Sequence, residues 1–138
     1  MAKAQQKETE LKGERALGRR KTAAARVRLL PGKGAITVNG RSLQAYFGTA
    51  LLQKRIQAPL VVTGKEADFD ISVKVAGGGI SGQADALAHG IARALVKWNK
   101  DLQPILRAGG FLTRDPRAKE RKKFGRHRAR RGHQWRKR

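Results

Sequence analysis

Four groupings of residues in this chain could carry chemistry. Gly77-x-Gly79-x-x-Gly82 follows a strand-like run and opens a helix-like one. That is the local setting of a dinucleotide-binding turn, and Asp101 lies about 20 residues on, where a ribose hydroxyl would be met. A dinucleotide fold also needs a second parallel strand after that helix and a second mononucleotide-binding half. The chain from Asn99 is instead polar, proline-bearing and then basic. Two readings of the glycines remain: a tight strand-to-helix turn, or a turn whose backbone N–H groups approach an RNA phosphate at a positive helix end. Asp68 and Asp70 share a strand face, but Lys74 shares it too and no pocket is implied, so a solvated edge is expected in place of an acid–base pair. His127 and His133 stand without Cys, among cations that oppose Zn²⁺. His89 lies one turn after Asp85 and one before Arg93 and has no nucleophile to activate. No catalytic residue, metal site, cofactor or small-molecule substrate is expected.

Charge points elsewhere. The 138 residues carry a formal charge of +22, and it is concentrated at the two ends of a nearly ordinary middle. Residues 107–138 hold fourteen Lys or Arg against Asp115 and Glu120, and residues 19–28 hold five more. From Lys119 the tail, KERKKFGRHRARRGHQWRKR, shows no period of two or 3.6 and too little apolar surface to offset its ordering entropy. Arginine outnumbers lysine there, which suits phosphate forks and stacking on exposed bases. Phe124 and Trp135 either stack on bases or tuck into protein. An anionic membrane would favour an amphipathic basic helix, and nothing in the sequence reaches the roughly 20 apolar residues of a membrane span. With no cysteine and no secretory or transit pattern, a cytoplasmic setting is expected.

The elements that must position these groups follow from periodicity. Residues 1–18 read as a flexible arm, 19–112 as a globular core and 113–138 as an extended basic tail. In the core, Ala23, Ala25, Val27 and Leu29 alternate with Ala24, Arg26 and Arg28, a strand with one buried and one basic face. Pro31-Gly-Lys-Gly34 predicts a turn and 35–38 the returning strand of a hairpin, with Asn39-Gly40 a second turn. Ser42 caps a short helix through Phe47, and Thr49 caps one over 50–57, with Leu51, Leu52 and Ile56 inward, that Pro59 stops. Residues 60–63 suggest a strand, 64–68 a turn, and 69–75 a strong alternating strand. Ile80 to Trp98 is the best helix: Ile80, Ala84, Leu87, Ile91, Leu95 and Trp98 form an apolar stripe, and Ser81, Asp85, His89, Arg93 and Lys97 a polar one turned to solvent or RNA. A short helix over 101–108 accepts Pro104 in its first turn. The sum is one α+β two-layer sandwich of about 80 to 90 residues.

Candidate RNA contacts are therefore Arg19, Arg20, Lys21, Arg26 and Arg28 on the hairpin; Gly77, Gly78 and Gly79 with Ser81, Gln83 and His89 at the glycine loop and helix; and Arg114, Arg117, Arg121, Lys122, Lys123, Arg126, Arg128, Arg130 and Arg131 in the tail. A nucleoid-type DNA-binding protein would share the charge and is the alternative.

The order of motifs resembles the bacterial family of small-subunit ribosomal protein nine. The matching segments are GRRKTAAARVRLLPGKGAITVNGR at 18–41, FDISVKVAGGGISGQADALAHGIARAL at 69–95, LRAGGFLTRDPRAKERKKFG at 106–125, and a Lys-Arg terminus. The resemblance implies a four-stranded mixed sheet with a left-handed crossover, in a structural protein of the 30S head. It implies binding to the 3′ major domain of 16S ribosomal RNA beside neighbouring head proteins. It also implies a tail threaded toward the peptidyl site, with Lys137 and Arg138 at the anticodon stem-loop phosphates of the transfer RNA. The chain departs from the usual Ser-Lys-Arg end at Arg136.

Overall fold

The computed structural model describes residues 13–138. Period-two alternation makes the central strands: in β2 (Ala23–Pro31) and β5 (Phe69–Ala76) the apolar residues Ala23, Ala25, Val27, Leu29, Phe69, Ile71, Val73 and Val75 are all buried, while Arg26, Arg28, Ser72 and Lys74 between them are exposed. These two strands pair antiparallel along their length, Ala24 opposite Ala76 through Pro31 opposite Phe69. Around them stand β1 (Glu14–Arg20), β3 (Ile36–Val38) and β4 (Arg41–Ser42), giving a five-stranded mixed sheet in the order β1-β2-β5-β3-β4.

Two expectations about the sheet are corrected. Strand β1 begins inside the stretch read as an arm and β4 was not expected, while none forms over 60–63, so the described sheet has five strands, not four; residues 1–12 lie outside the described residues. And β3 does not return along β2. The hairpin partner of β2 is β1, joined through Lys21 and Thr22, whereas β3 lies on the far side of β5 and runs parallel to it, Ile36 opposite Ile71. Asp70 explains the excursion. Its Oδ1 accepts from the N–H groups of Lys33, Gly34 and Ala35 at 2.9, 3.1 and 3.0 Å, and Gly32 N–H bonds Asp68 O, so the loop is carried across the start of β5. Those backbone bonds, led by Ala35, hold the Asp70 carboxyl below its ordinary value. The residue is a loop anchor rather than part of a solvated edge; Asp68 pairs with Lys65.

Helix α1 (Leu43–Tyr46) is capped by Ser42 as expected. Helix α2 (Ala50–Thr63) starts after Thr49, whose side chain makes no capping bond, and runs through Pro59 to Gly64, so no strand forms over 60–63. The ring forfeits one backbone bond, but Ile56, Pro59 and Leu60, spaced i, i+3, i+4, are all buried, and that shared face carries the helix on. Leu51, expected inward, is 65% exposed. Helix α3 (Ile80–Trp98) forms as predicted, with Ala84, Leu87, Ile91 and Leu95 fully buried, though the stripe's ends, Ile80 and Trp98, are exposed. A 3₁₀ turn at Lys100–Leu102 leads into α4 (Gln103–Ala108) with Pro104 in its first turn.

Helix α3 packs on β1 and β2 with its backbone almost against the strand. A Cβ on Gly18 would fall 1.8 Å from Ala86 O, and one on Gly90 would fall 2.6 Å from the Val27 side chain and 3.2 Å from Gly18 N. Such overpacking against backbone costs about 1–3 kcal/mol or more. Gly18→Ala and Gly90→Ala are therefore expected to lower the midpoint of urea unfolding sharply, whereas Gly48→Ala, which meets nothing within 4 Å, should leave it nearly unmoved.

Candidate nucleic-acid interface

The sheet face turned away from α3 is built by cross-strand rows. Leu17, Arg26 and Lys74 stand opposite one another on β1, β2 and β5, and Arg15, Arg28 and Ser72 form the next row. Neighbouring strands are about 4.8 Å apart, so the cationic side chains of three strands converge. They line an open groove of about 530 Å³ together with Leu17, while Val27 between Arg26 and Arg28 turns its side chain to the α3 side. No carboxylate stands in either row. Arg26 and Arg28 were legible as candidates, while Arg19, also expected, stands opposite Ala24 outside both rows; Arg15 and Lys74 were not singled out, although strict alternation in β5 already places Lys74 on this face.

Arg20 points to the other side. Its side chain, only 14% exposed, lies between Asp85 of α3, 3.7 Å away, and Asp115 at the root of the tail, with which it forms an ion pair. Arg55 of α2 joins Asp85 at 3.0 Å, and Arg117 grips Asp115 through Nε and Nη2. The tail root is thus tied to β1 directly and, through Arg20 and Asp85, to α3 and α2 in turn. Lys21 is exposed in the β1–β2 turn with a positive φ of 52°.

The polar stripe of α3 does not chiefly face solvent or RNA: it lies along the edge of β1. Lys97 Nζ donates to Arg15 O at 2.7 Å, Arg93 Nη1 donates to Leu17 O, and Arg19 N–H donates to His89 Nδ1 at 3.4 Å. Since Nδ1 accepts, Nε2 carries the proton and donates to Leu112 O at 3.3 Å. His89 therefore links the edge strand to the chain entering the tail. Burial holds its imidazole below the ordinary value of 6.5; the Arg93 and Arg114 charges act in the same direction and the Leu112 bond opposes them.

At the glycine loop, Gly77 and Gly78 have φ of 76° and 64°, and a Cβ on Gly77 would sit 2.6 Å from Thr22 O. Gly79, by contrast, has an ordinary φ of −87° and open space around a Cβ. Gln83 is engaged inside the protein: its Nε2 donates to Gly77 O at 3.0 Å and its Oε1 accepts from Tyr46 OH at 2.8 Å. Ser81 is exposed beside it. After α3 the described chain contains no further strand, so the dinucleotide reading has no second half.

Beyond Leu112 the tail lacks helix and strand. Glu120 gathers Lys123 and Arg130, Arg126 reaches Arg130 O, and His127 N–H bonds Arg131 O, folding a local bend in which the His127 and His133 rings lie 4.1 Å apart. Arg114, Arg121, Lys122, Arg128, Arg131, Lys137 and Arg138 are exposed. Phe124 and Trp135, 102% and 81% exposed, tuck into nothing. Among the described residues no three metal-ligating side chains cluster, and no helix is long and apolar enough to cross a membrane.

An α+β core with an exposed cationic sheet face and an extended cationic tail defines a class of protein built to be embedded in polyanion. The particular family is the one described as Ribosomal protein S9/S16, which the chain matches over residues 18–138 and to which it belongs. It is accordingly a structural protein of the small ribosomal subunit, ribosome-bound and associated with ribosomal RNA and other ribosomal proteins. The nucleoid alternative falls with that assignment.

Because the folded imidazole resists a proton that the unfolded one accepts, the contribution of His89 to stability is complete above pH 6.5 and is lost as pH falls through its lowered folded value. Between pH 7 and 5 the melting temperature should fall more in the wild type than in His89→Gln, and the protection of the Arg19 amide against exchange, relative to its intrinsic rate at each pH, should drop over the same range only in the wild type.

Proposed function

We propose that the protein scaffolds the 3′ major domain of 16S ribosomal RNA in the head of the cytoplasmic 30S subunit, and that its tail reaches the transfer RNA in the peptidyl site. The carrying observation is the separation of two cationic surfaces on a ribosomal-family chain: a fixed sheet face at Arg15, Arg26, Arg28 and Lys74, and a tail whose terminal Lys137 and Arg138 touch no other element. On the sheet the cations are pre-positioned and need little further ordering. In the tail, ordering costs about 1–2 kcal/mol per residue for the backbone, so phosphates along the whole path must supply the compensation through counterion release. Extended from Arg114, the tail reaches roughly 80 Å, enough to take Lys137 and Arg138 to a distant anticodon stem-loop. The added guanidinium of Arg136 offers a further phosphate contact beside them.

The glycine loop supports the same reading. Among the described residues no atom lies within 4 Å of a Cβ at Gly79, the N-cap of α3, whereas a phosphate backbone approaching its N–H would exclude one.

Deleting Arg136 to Arg138 is expected to weaken peptidyl-site transfer RNA binding by 30S particles and to relax start-site fidelity while head assembly persists; unchanged affinity and fidelity would overturn the tail assignment. Gly79→Ala, a poorer N-cap, should cost at most about 1 kcal/mol of stability and still fold, yet bind a 3′ major domain transcript several-fold more weakly, whereas Gly77→Ala, with its positive φ and a Cβ 2.6 Å from Thr22 O, should lose more stability.

A further inference from the structure

Where the tail leaves the core, β1, α2, α3 and the tail root enclose an open cavity of about 510 Å³. Five arginines line it, Arg19, Arg20, Arg55, Arg114 and Arg117, against two carboxylates, Asp85 and Asp115. The carboxylates do not neutralise the cavity; they brace it. Asp85 holds Arg55 and approaches Arg20, and Asp115 holds Arg20 and Arg117. Three positive charges are left over. Arg19 and Arg114 have no acidic partner among the described residues, and the buried Nε of Arg20 has no hydrogen-bond acceptor. The Nε of Arg20 lies beside Asp85 at 3.7 Å, and a cleft with a surplus of one sign of charge focuses its field on whatever enters. Guanidinium forks fit the oxygens of a phosphate group.

We propose that this cavity is a phosphate-binding pocket that seats a backbone phosphate of ribosomal RNA at the root of the tail, with Arg55 and Arg114 as its principal ligands. The inference rests on the RNA-scaffolding reading and adds to it a site on α2, a helix otherwise without a part in RNA contact. Asp85 and Asp115 are positioning residues: they orient the arginines and touch no phosphate. Occupancy would fix the tail's point of departure by bridging core and tail through one anion.

The test uses the full chain and a transcript of the 3′ major domain, with affinity measured against salt for wild type, Arg55→Gln, Arg114→Gln and Arg26→Gln. Each pocket variant is expected to flatten the slope of log K against log salt by about 0.7–0.9, the share of one phosphate contact. Because Arg114 has no ion pair among the described residues, its variant carries the test even if Arg55→Gln loosens the fold. Wild-type slopes in both pocket variants, with a flattened slope in Arg26→Gln, would overturn the pocket and leave the scaffolding function standing. A wild type insensitive to salt would overturn both. Inorganic pyrophosphate at constant ionic strength separates the sources: if it raises the melting temperature of wild type but not of Arg114→Gln while RNA slopes stay unchanged, the pocket takes a free phosphate and the RNA assignment fails. Unchanged RNA slopes with poorer incorporation of both variants into 30S particles would assign the cavity to an acidic segment of a neighbouring protein and overturn the proposal equally.

Discussion

The structure depends on a match between two repeats. Four residues of helix advance about 6 Å and two residues of strand about 6.7 Å, so a side chain on every fourth position of α3 meets every second residue of β1 for three successive steps. His89, Arg93 and Lys97 meet the backbone of Arg19, Leu17 and Arg15 in that order, with helix and strand running in opposite directions. The small mismatch accumulates toward the C-terminal end of α3, where the long reach of Arg93 and Lys97 absorbs it. Polar bonds at an exposed edge contribute on the order of 1 kcal/mol each, less than burying one Leu or Ile such as Leu87, Ile91 or Leu95 at about 1.5–3 kcal/mol. The apolar stripe therefore supplies the stability of the helix on the sheet, and the polar stripe supplies its register. It also covers the unpaired outer edge of β1, which would otherwise invite a foreign strand.

Register has a consequence for charge. With α3 held over β1 and β2, the opposite face of the sheet carries no helix among the described residues and its cations Arg15, Arg26, Arg28 and Lys74 are exposed. Four acids of the core and tail organise structure: Asp70 holds the 33–35 loop, Asp85 and Asp115 hold Arg20, and Glu120 holds Lys123 and Arg130. Each fixes basic residues or backbone, and neither row across the sheet face contains one. The cations of the sheet face and most of those of the tail thus stay outward while these carboxylates organise the fold.

How much of this was legible follows from where the hydrophobic signal lies. β2, β5 and α3 bury whole apolar stripes, and their periods show at once. β1 was invisible because its helix-facing residues include Ala16 and Gly18, kept small so that the helix backbone can approach, and small residues carry no hydrophobic period. The partner of β2 was missed because pairing is decided by Asp70 and its loop, a contact across more than thirty positions. A polar stripe looks the same whether water, RNA or a strand edge faces it, so His89 read as outward when its ring is shared by Arg19 and Leu112. At the interface, Arg26, Arg28 and the tail cations were legible from charge alone. Arg20 and Gln83 have internal partners, and Arg55 lay on a helix that showed no basic run.

The tail is where sequence and structure meet least and need each other most. Charge composition says that it binds polyanion but gives no direction, since a freely jointed basic tail would sample all of them. The ties at Leu112 and Asp115 remove that freedom at the root, because His89 and Arg20 belong to elements already in register. The effective concentration of a tethered group falls steeply with the length of flexible linker before it, so every residue fixed at the root shortens the portion that must search. Fixing it from the polar stripe of α3 means that the same bonds that seat the helix also aim the tail, and that the tail cannot be aimed until the sheet has closed.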